Sequence, residues 1–96
     1  MKTKIVNAIL NREYVSLVYG GLLRVVQPAA IGVSRAGKEV LRAYQIQGGH
    51  LTPGHDWDLF DLSKITALTS TGQHFQGYPP GYRHGDKGMI AIYAQL

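Results

Sequence analysis

The stretch VSLVYGGLLRVVQPAAIGVSRAGKEVLRAYQI, from Val15 to Ile46, decides the fold of this chain. It contains three runs rich in β-branched and apolar residues, joined by two turns that contain glycine, and this pattern predicts three strands. Gly20-Gly21 supplies the two positive-φ positions of a tight hairpin turn. We therefore expect the first two strands to be antiparallel, with a register that pairs Tyr19 with Leu22, Leu17 with Arg24 and Val15 with Val26.

The second predicted strand, Leu22 to Val33, is too long to remain straight in a small domain. Pro28 marks an edge position or a bend because it cannot donate to a ladder, and Gly32 allows a second bend. Long bent strands are how small barrels close on themselves. The third strand follows the turn at residues 34–37 and runs from Glu39 to Gln47.

The rest of the chain adds a helix and short strands around this ribbon. We expect a helix over Lys2 to Glu13, a short strand over Asp58 to Phe60, a further strand over Thr66 to Thr69 and a terminal strand over Met89 to Ala94. The predicted fold class is mainly β with an N-terminal helix: a small SH3- or Sm-type β-barrel of about five strands plus a C-terminal strand. Residues 1–75 would form the barrel, and residues 76–96 would pack on it or on a partner.

Composition narrows the class of protein further. The chain has 96 residues, a net charge of +4 and no cysteine. One domain is the natural expectation for this length. The absence of cysteine excludes disulfides and thiolate catalysis and favours a cytoplasmic location. No apolar run has the length of a membrane span, and no nucleophile elbow or paired-carboxylate signature indicates an enzyme or a cofactor.

The order of these elements resembles the WYL domain, a module of bacterial transcription regulators. The resemblance covers roughly Ile5 to Phe75, and its anchors are Tyr19, Arg24, Pro28, the Leu41 to Tyr44 strand, Phe60 and Lys64-Ile65. Of the triplet that names the family, only Leu41 is present. We expect a divergent, stand-alone copy, because the chain has no room for the winged-helix domain that typically precedes a WYL module.

The resemblance implies an Sm-like barrel that senses a nucleic acid or a nucleotide-like ligand in transcriptional or defence regulation. The residues that would bind it form a basic and aromatic set: Tyr19, Arg24, Arg42, Tyr44 and Lys64. Arginine contacts phosphate through two hydrogen bonds, and tyrosine offers a face for a base. The alternative is that the two tyrosines are half-buried barrel residues and the arginines are solvated.

Two other segments carry possible binding chemistry. His50, His55, Asp56 and Asp58 could bind a metal, but their spacing matches no established ligand pattern and exposed loop residues are the stronger interpretation. The segment from Tyr78 to Lys87 interleaves aromatic and basic residues and could contact a single-stranded nucleic acid, although a packed surface loop is the more common outcome.

The terminal strand, Met89 to Ala94, is apolar and must be paired or covered. It could complete the sheet of its own chain. It could instead pair with the same strand of a second copy to form a homodimer, which is the interpretation that we favour from the sequence.

Overall fold

A computed structural model describes residues 1–49, 54 and 56–96. Its elements are α1 (Lys2–Leu10), β1 (Glu13–Tyr19), β2 (Leu22–Ser34), β3 (Glu39–Gly48), β4 (Trp57–Asp61), a short 3-10 helix (Leu62–Lys64), β5 (Ile65–His74) and β6 (Met89–Gln95). No helix in this part of the chain is long and apolar enough to cross a bilayer.

The strands form one antiparallel sheet in the order β4-β3-β2-β1-β5, and β6 pairs with β2 outside this path. The prediction of a mainly β fold with an N-terminal helix is therefore confirmed. Among the described residues, no hydrogen-bonded pairing between β4 and β5 closes the sheet into a barrel. The sheet is nevertheless strongly curled, because the ring of Tyr19 on β1 lies 4.9 Å from the ring of Phe60 on β4.

The hairpin between β1 and β2 has the predicted register. Val15 pairs with Val26, Leu17 with Arg24 and Tyr19 with Leu22. Gly20 and Gly21 have φ values of 60° and 73°, as the tight turn requires. The paired glycines thus fix which residues of the two strands share a face.

Along one edge of β2, the neighbouring strand changes halfway. The first half of β2 pairs with β1 and its second half with β6, while β3 runs along its other edge. The β2–β3 ladder shifts register next to Val26 and again between Pro28 and Ala30. A Cβ at Gly32 would collide with the carbonyl oxygen of Ala91, so the close approach of β6 depends on this glycine.

The inner face of the curled sheet is covered by α1. Its buried residues, Ile5, Ala8 and Ile9, join Leu17, Leu41 and other apolar strand residues in one core. The helix ends three residues before the predicted Glu13. Arg12 has a φ of 50°, a left-handed conformation that turns the chain out of the helix and into β1.

Residues 75–88 connect β5 to β6, and we call residues 76–88 the C-terminal strap. The strap crosses the outer face of the sheet: the Trp57 indole N–H donates to the carbonyl oxygen of Pro80, and Arg42 forms an ion pair with Asp86. β6 then pairs with β2 of the same chain. The C-terminal fifth of the protein therefore packs on its own sheet.

Candidate ligand-binding cleft

The side chains of β3 alternate between the two faces of the sheet. Leu41 and Ala43 are buried on the inner face, where Phe60 lies opposite Leu41. Arg42 and Tyr44 lie on the outer face. The predicted placement of these strand residues is confirmed. Arg42 and Tyr44 therefore share the outer face.

Arg24 lies on the inner face and is only 3% exposed. Its guanidinium carbon is 5.5 Å from the ring centres of both Tyr19 and Phe60. Nη2 donates to the carbonyl oxygen of Tyr19 at 3.2 Å, and Nη1 lies 3.5 Å from a carboxylate oxygen of Asp58. Because its donors point into the protein, Arg24 is placed to stabilise the curled sheet.

The Tyr19 side chain also has structural contacts. Its hydroxyl oxygen accepts a hydrogen bond from the backbone N–H of Asp61 at 3.2 Å, which joins β1 to the end of β4. Lys64 follows shortly afterwards on the 3-10 helix and is exposed. Tyr19 and Arg24 therefore form one pair inside the sheet, and Arg42 and Tyr44 form a second pair on its outer face, so the predicted set does not form a single patch.

The outer pair lies under or beside the C-terminal strap. Arg42 Nε donates to Asp86 Oδ2 at 2.7 Å, and Nη2 donates to Oδ1 at 3.3 Å. Burial acts to raise the pKa of the Asp86 carboxyl, but hydrogen bonds from Arg42 and from the Gly88 N–H outweigh it, and the pKa lies below its ordinary value. Tyr44 packs edge-on against Trp57, with 5.3 Å between ring centres.

Several contacts besides the ion pair hold the strap in place. Trp57 donates to Pro80 at 2.8 Å, and the Tyr82 hydroxyl donates to the Leu96 carbonyl oxygen at 2.8 Å. The Gly85 N–H donates to the side-chain oxygen of Gln95 at 2.8 Å. The strap is thus attached to β4, to the last residue of β6 and to Leu96 after it.

A cleft of about 440 Å³ lies between the strap and the sheet. Its floor and one wall come from Ala30, Arg42 and Trp57, and the strap supplies residues 81–87. The charged and aromatic side chains among these residues are Arg42, Trp57, Tyr82, Arg83, His84, Asp86 and Lys87. Such a lining can bind an anionic group and a planar ring side by side.

The sequence contained part of this answer. For the interleaved aromatic and basic residues of the strap, the sequence offered nucleic-acid binding as an alternative to the preferred interpretation of a packed surface loop, and Arg42 belonged to the predicted set. Trp57 and Asp86 were missed as members of a site, because no local pattern shows that Trp57 meets Pro80 or that Asp86 meets Arg42, 44 residues away.

The metal hypothesis depends mainly on His50 and His55, which lie outside the described residues. Within residues 1–49, 54 and 56–96, no group of three or more histidine or carboxylate side chains is arranged to hold a metal ion. Comparison with protein-family models, with curated proteins and with solved structures gives no match.

The burial of Arg24 predicts a large loss of stability when its side chain is removed. Arg24→Ala should lower the free energy of unfolding by about 2–4 kcal/mol, because it removes packing against two rings and the hydrogen bond to the Tyr19 carbonyl oxygen. The matched variant Lys64→Ala removes the same charge from an exposed site and should change it by less than about 0.5 kcal/mol. Urea denaturation measures both, and equal effects would contradict the structural role of Arg24.

Proposed function

We propose that this chain is a non-catalytic binding module that takes a nucleotide, or a short single-stranded nucleic acid, into the cleft beneath the C-terminal strap. The observation that carries the proposal is the lining of that cleft, in which basic and aromatic side chains face one space of about 440 Å³. That volume is within the range of small-molecule sites in proteins, roughly 300–1,000 Å³.

The basic residues of the cleft suit a phosphate group. Arg42 has a planar fork of donors, and it is held on β3 with 31% of its side chain exposed. Arg83 and Lys87 are exposed residues of the strap and line the same space. A phosphate between them would meet positive charge from the sheet and from the strap.

The aromatic residues suit a base. Trp57 is fixed by its hydrogen bond to Pro80 and by packing against Tyr44. Tyr82 stacks on Tyr78 with 5.1 Å between ring centres and an angle of 8° between planes. Rings that are already held in place lose little freedom when a base stacks on them, and such stacking tolerates any base.

The resemblance to the WYL domain supports the same kind of ligand and a role in transcriptional or defence regulation, which would be exercised in the cytoplasm. We also propose that the curled sheet is a partly open barrel of the SH3 or Sm type. The long bent β2, the strand order and the 3-10 helix between β4 and β5 support that assignment. In this proposal Tyr19 and Arg24 stabilise the sheet, and Lys64 is an exposed residue outside the cleft. Ligand contacts come from Arg42, Trp57 and the strap, and Tyr44 packs against Trp57.

The proposal can be tested with the protein's own fluorescence, because Trp57 is the one tryptophan in the sequence and lines the cleft. Titration with AMP and with a short oligothymidylate should change its emission. Lys87→Ala should weaken oligothymidylate binding several-fold at low salt, because it removes a phosphate contact, and added salt should reduce the difference.

The matched control is Lys4→Ala, which removes the same charge from the exposed side of α1. It should leave both titrations unchanged to within about twofold. If neither AMP nor oligothymidylate binds at low salt, or if Lys4→Ala and Lys87→Ala weaken binding equally, the cleft is not the binding site.

A second candidate function, assembly into a homodimer, is favoured by the free edge of β6. β6 pairs with β2 on one side, and among the described strands none pairs with its other edge. The strand has no charged residue, and its Ile90 and Tyr93 side chains are 63% and 45% exposed. Edges of this kind are templates for pairing with another chain. We propose that a second copy adds its own β6 there in antiparallel orientation.

Light scattering on the full chain tests this assembly. The protein should be a dimer, and Ile90→Lys should make it a monomer because a charge would enter the paired edge. Leu23→Lys is a matched control, since Leu23 is 62% exposed and Ile90 is 63% exposed. It should remain a dimer, whereas a monomeric parent protein would contradict the assembly.

A further inference from the structure

The contact between Arg42 and Asp86 has the form of a ligand contact made within the chain. Two nitrogens of the guanidinium meet the two oxygens of the carboxylate, at 2.7 Å and 3.3 Å. Arginine binds the oxygens of phosphates and carboxylates in this paired arrangement. The side chain of Asp86 therefore occupies the position on Arg42 that an oxyanion of a bound molecule would take.

Asp86 also lines the cleft from the strap, and its side chain is 10% exposed. Its Oδ1 accepts a second hydrogen bond from the Gly88 N–H at 2.8 Å. That bond lies within the strap and does not involve Arg42. The carboxylate would therefore keep one partner if Arg42 turned to another oxyanion.

The strap does not depend on the ion pair alone. The bonds from Trp57 to Pro80, from Tyr82 to Leu96 and from Gly85 to Gln95 connect it to the rest of the fold before Asp86, and the pairing of Met89 on β6 with Ser34 on β2 holds the chain after it. Loss of the contact between Arg42 and Asp86 would consequently leave the walls of the cleft standing.

From these observations we infer that Asp86 is an internal oxyanion that competes with the ligand for Arg42 and selects for ligands that carry a phosphate or a carboxylate. This inference rests on the proposed function, because it concerns the same cleft. A neutral molecule of the same shape cannot replace Asp86 on Arg42, whereas a phosphate can. The ligand's affinity then depends on how much more strongly Arg42 binds the ligand's oxyanion than it binds the Asp86 carboxylate.

The charge of the competitor persists at neutral pH. The pKa of Asp86 lies below its ordinary value although burial opposes ionisation, since hydrogen bonds from Arg42 and Gly88 stabilise the carboxylate. Arg83 and Lys87 line the same cleft from the strap. The displaced carboxylate would therefore lie among positive groups, which limits the cost of its release.

The experiment compares AMP with adenosine in the full chain and in Asp86→Asn. Asparagine has almost the same shape and can still accept from the Gly88 N–H, but it has no charge with which to hold Arg42. The variant should bind AMP about tenfold more tightly, as expected when a charge-assisted competitor is removed, and its affinity for adenosine should change by less than about twofold. Trp57 emission reports both titrations.

Glu13→Gln is the matched control. It changes the net charge by the same amount, and Glu13 lies on β1, which is separated from β3 by β2. Its affinity for AMP should stay within about twofold of the parent protein, because a charge at that distance is largely screened. If Glu13→Gln increased the affinity for AMP as much as Asp86→Asn does, the effect would come from the change in net charge, and the inference would be overturned.

A second measurement does not require the variant. In the unaltered protein, the NMR resonance of the Arg42 Nε–H, assigned with Arg42→Lys, should shift when inorganic phosphate is added and should not shift with adenosine. If the Arg42 Nε–H resonance does not shift when phosphate is added, while AMP still changes Trp57 emission, the inference is overturned.

The outcomes separate the two proposals. If the parent protein binds AMP and Asp86→Asn binds it equally or more weakly, Asp86 has a structural role in the cleft and does not compete with the ligand for Arg42. The proposed function would then stand, and the inference would fail. If the parent protein binds neither AMP nor oligothymidylate but Asp86→Asn binds AMP, the competitor is real and the proposed function of the unaltered chain fails. If neither protein binds AMP or oligothymidylate, both proposals fail.

Discussion

The alternation of side chains along β3 is the constraint on which the rest of this structure depends. Leu41 and Ala43 must face the core, because they pack there with the buried residues of α1 and with Phe60 of the neighbouring β4. Arg42 is then committed to the outer face, together with Tyr44, since successive residues of a strand point to opposite sides. The strap reaches the sheet at that outer position, where Asp86 meets Arg42 and Trp57 meets Pro80.

The register of the first hairpin gives Arg24, on β2, a different position from Arg42. Arg24 lies opposite Leu17 in the hairpin and so faces inward, where two rings and a backbone carbonyl surround its guanidinium. A buried arginine in such contacts stabilises the fold and is costly to disturb. Arg42 has a partner that the chain itself supplies and that an outside anion could replace. Burial therefore distinguishes the structural arginine, Arg24, from Arg42, which we propose for ligand contact.

Much of the sheet was predictable from local sequence. The paired glycines determined the register of the first hairpin, and the alternation of Leu41, Arg42, Ala43 and Tyr44 assigned the two faces of β3 correctly. That register already placed Arg24 beside Leu17, so the inward position of the arginine was implicit. The error lay in treating Arg24 and Arg42 as one patch. The cleft itself was beyond prediction, because it depends on contacts between β3, β4 and a glycine- and proline-rich segment with no periodicity of its own.

The central claim is that ligand contacts belong to the outer face and the strap, and not to the inner pair of Tyr19 and Arg24. NMR mapping of AMP on the isotope-labelled full chain tests this claim most directly. The account predicts that the Trp57 indole N–H and the amides of residues 81–87 shift as AMP is added, while the amides of Tyr19 and Arg24 stay in place. Shifts confined to Tyr19, Arg24 and Lys64 would contradict it.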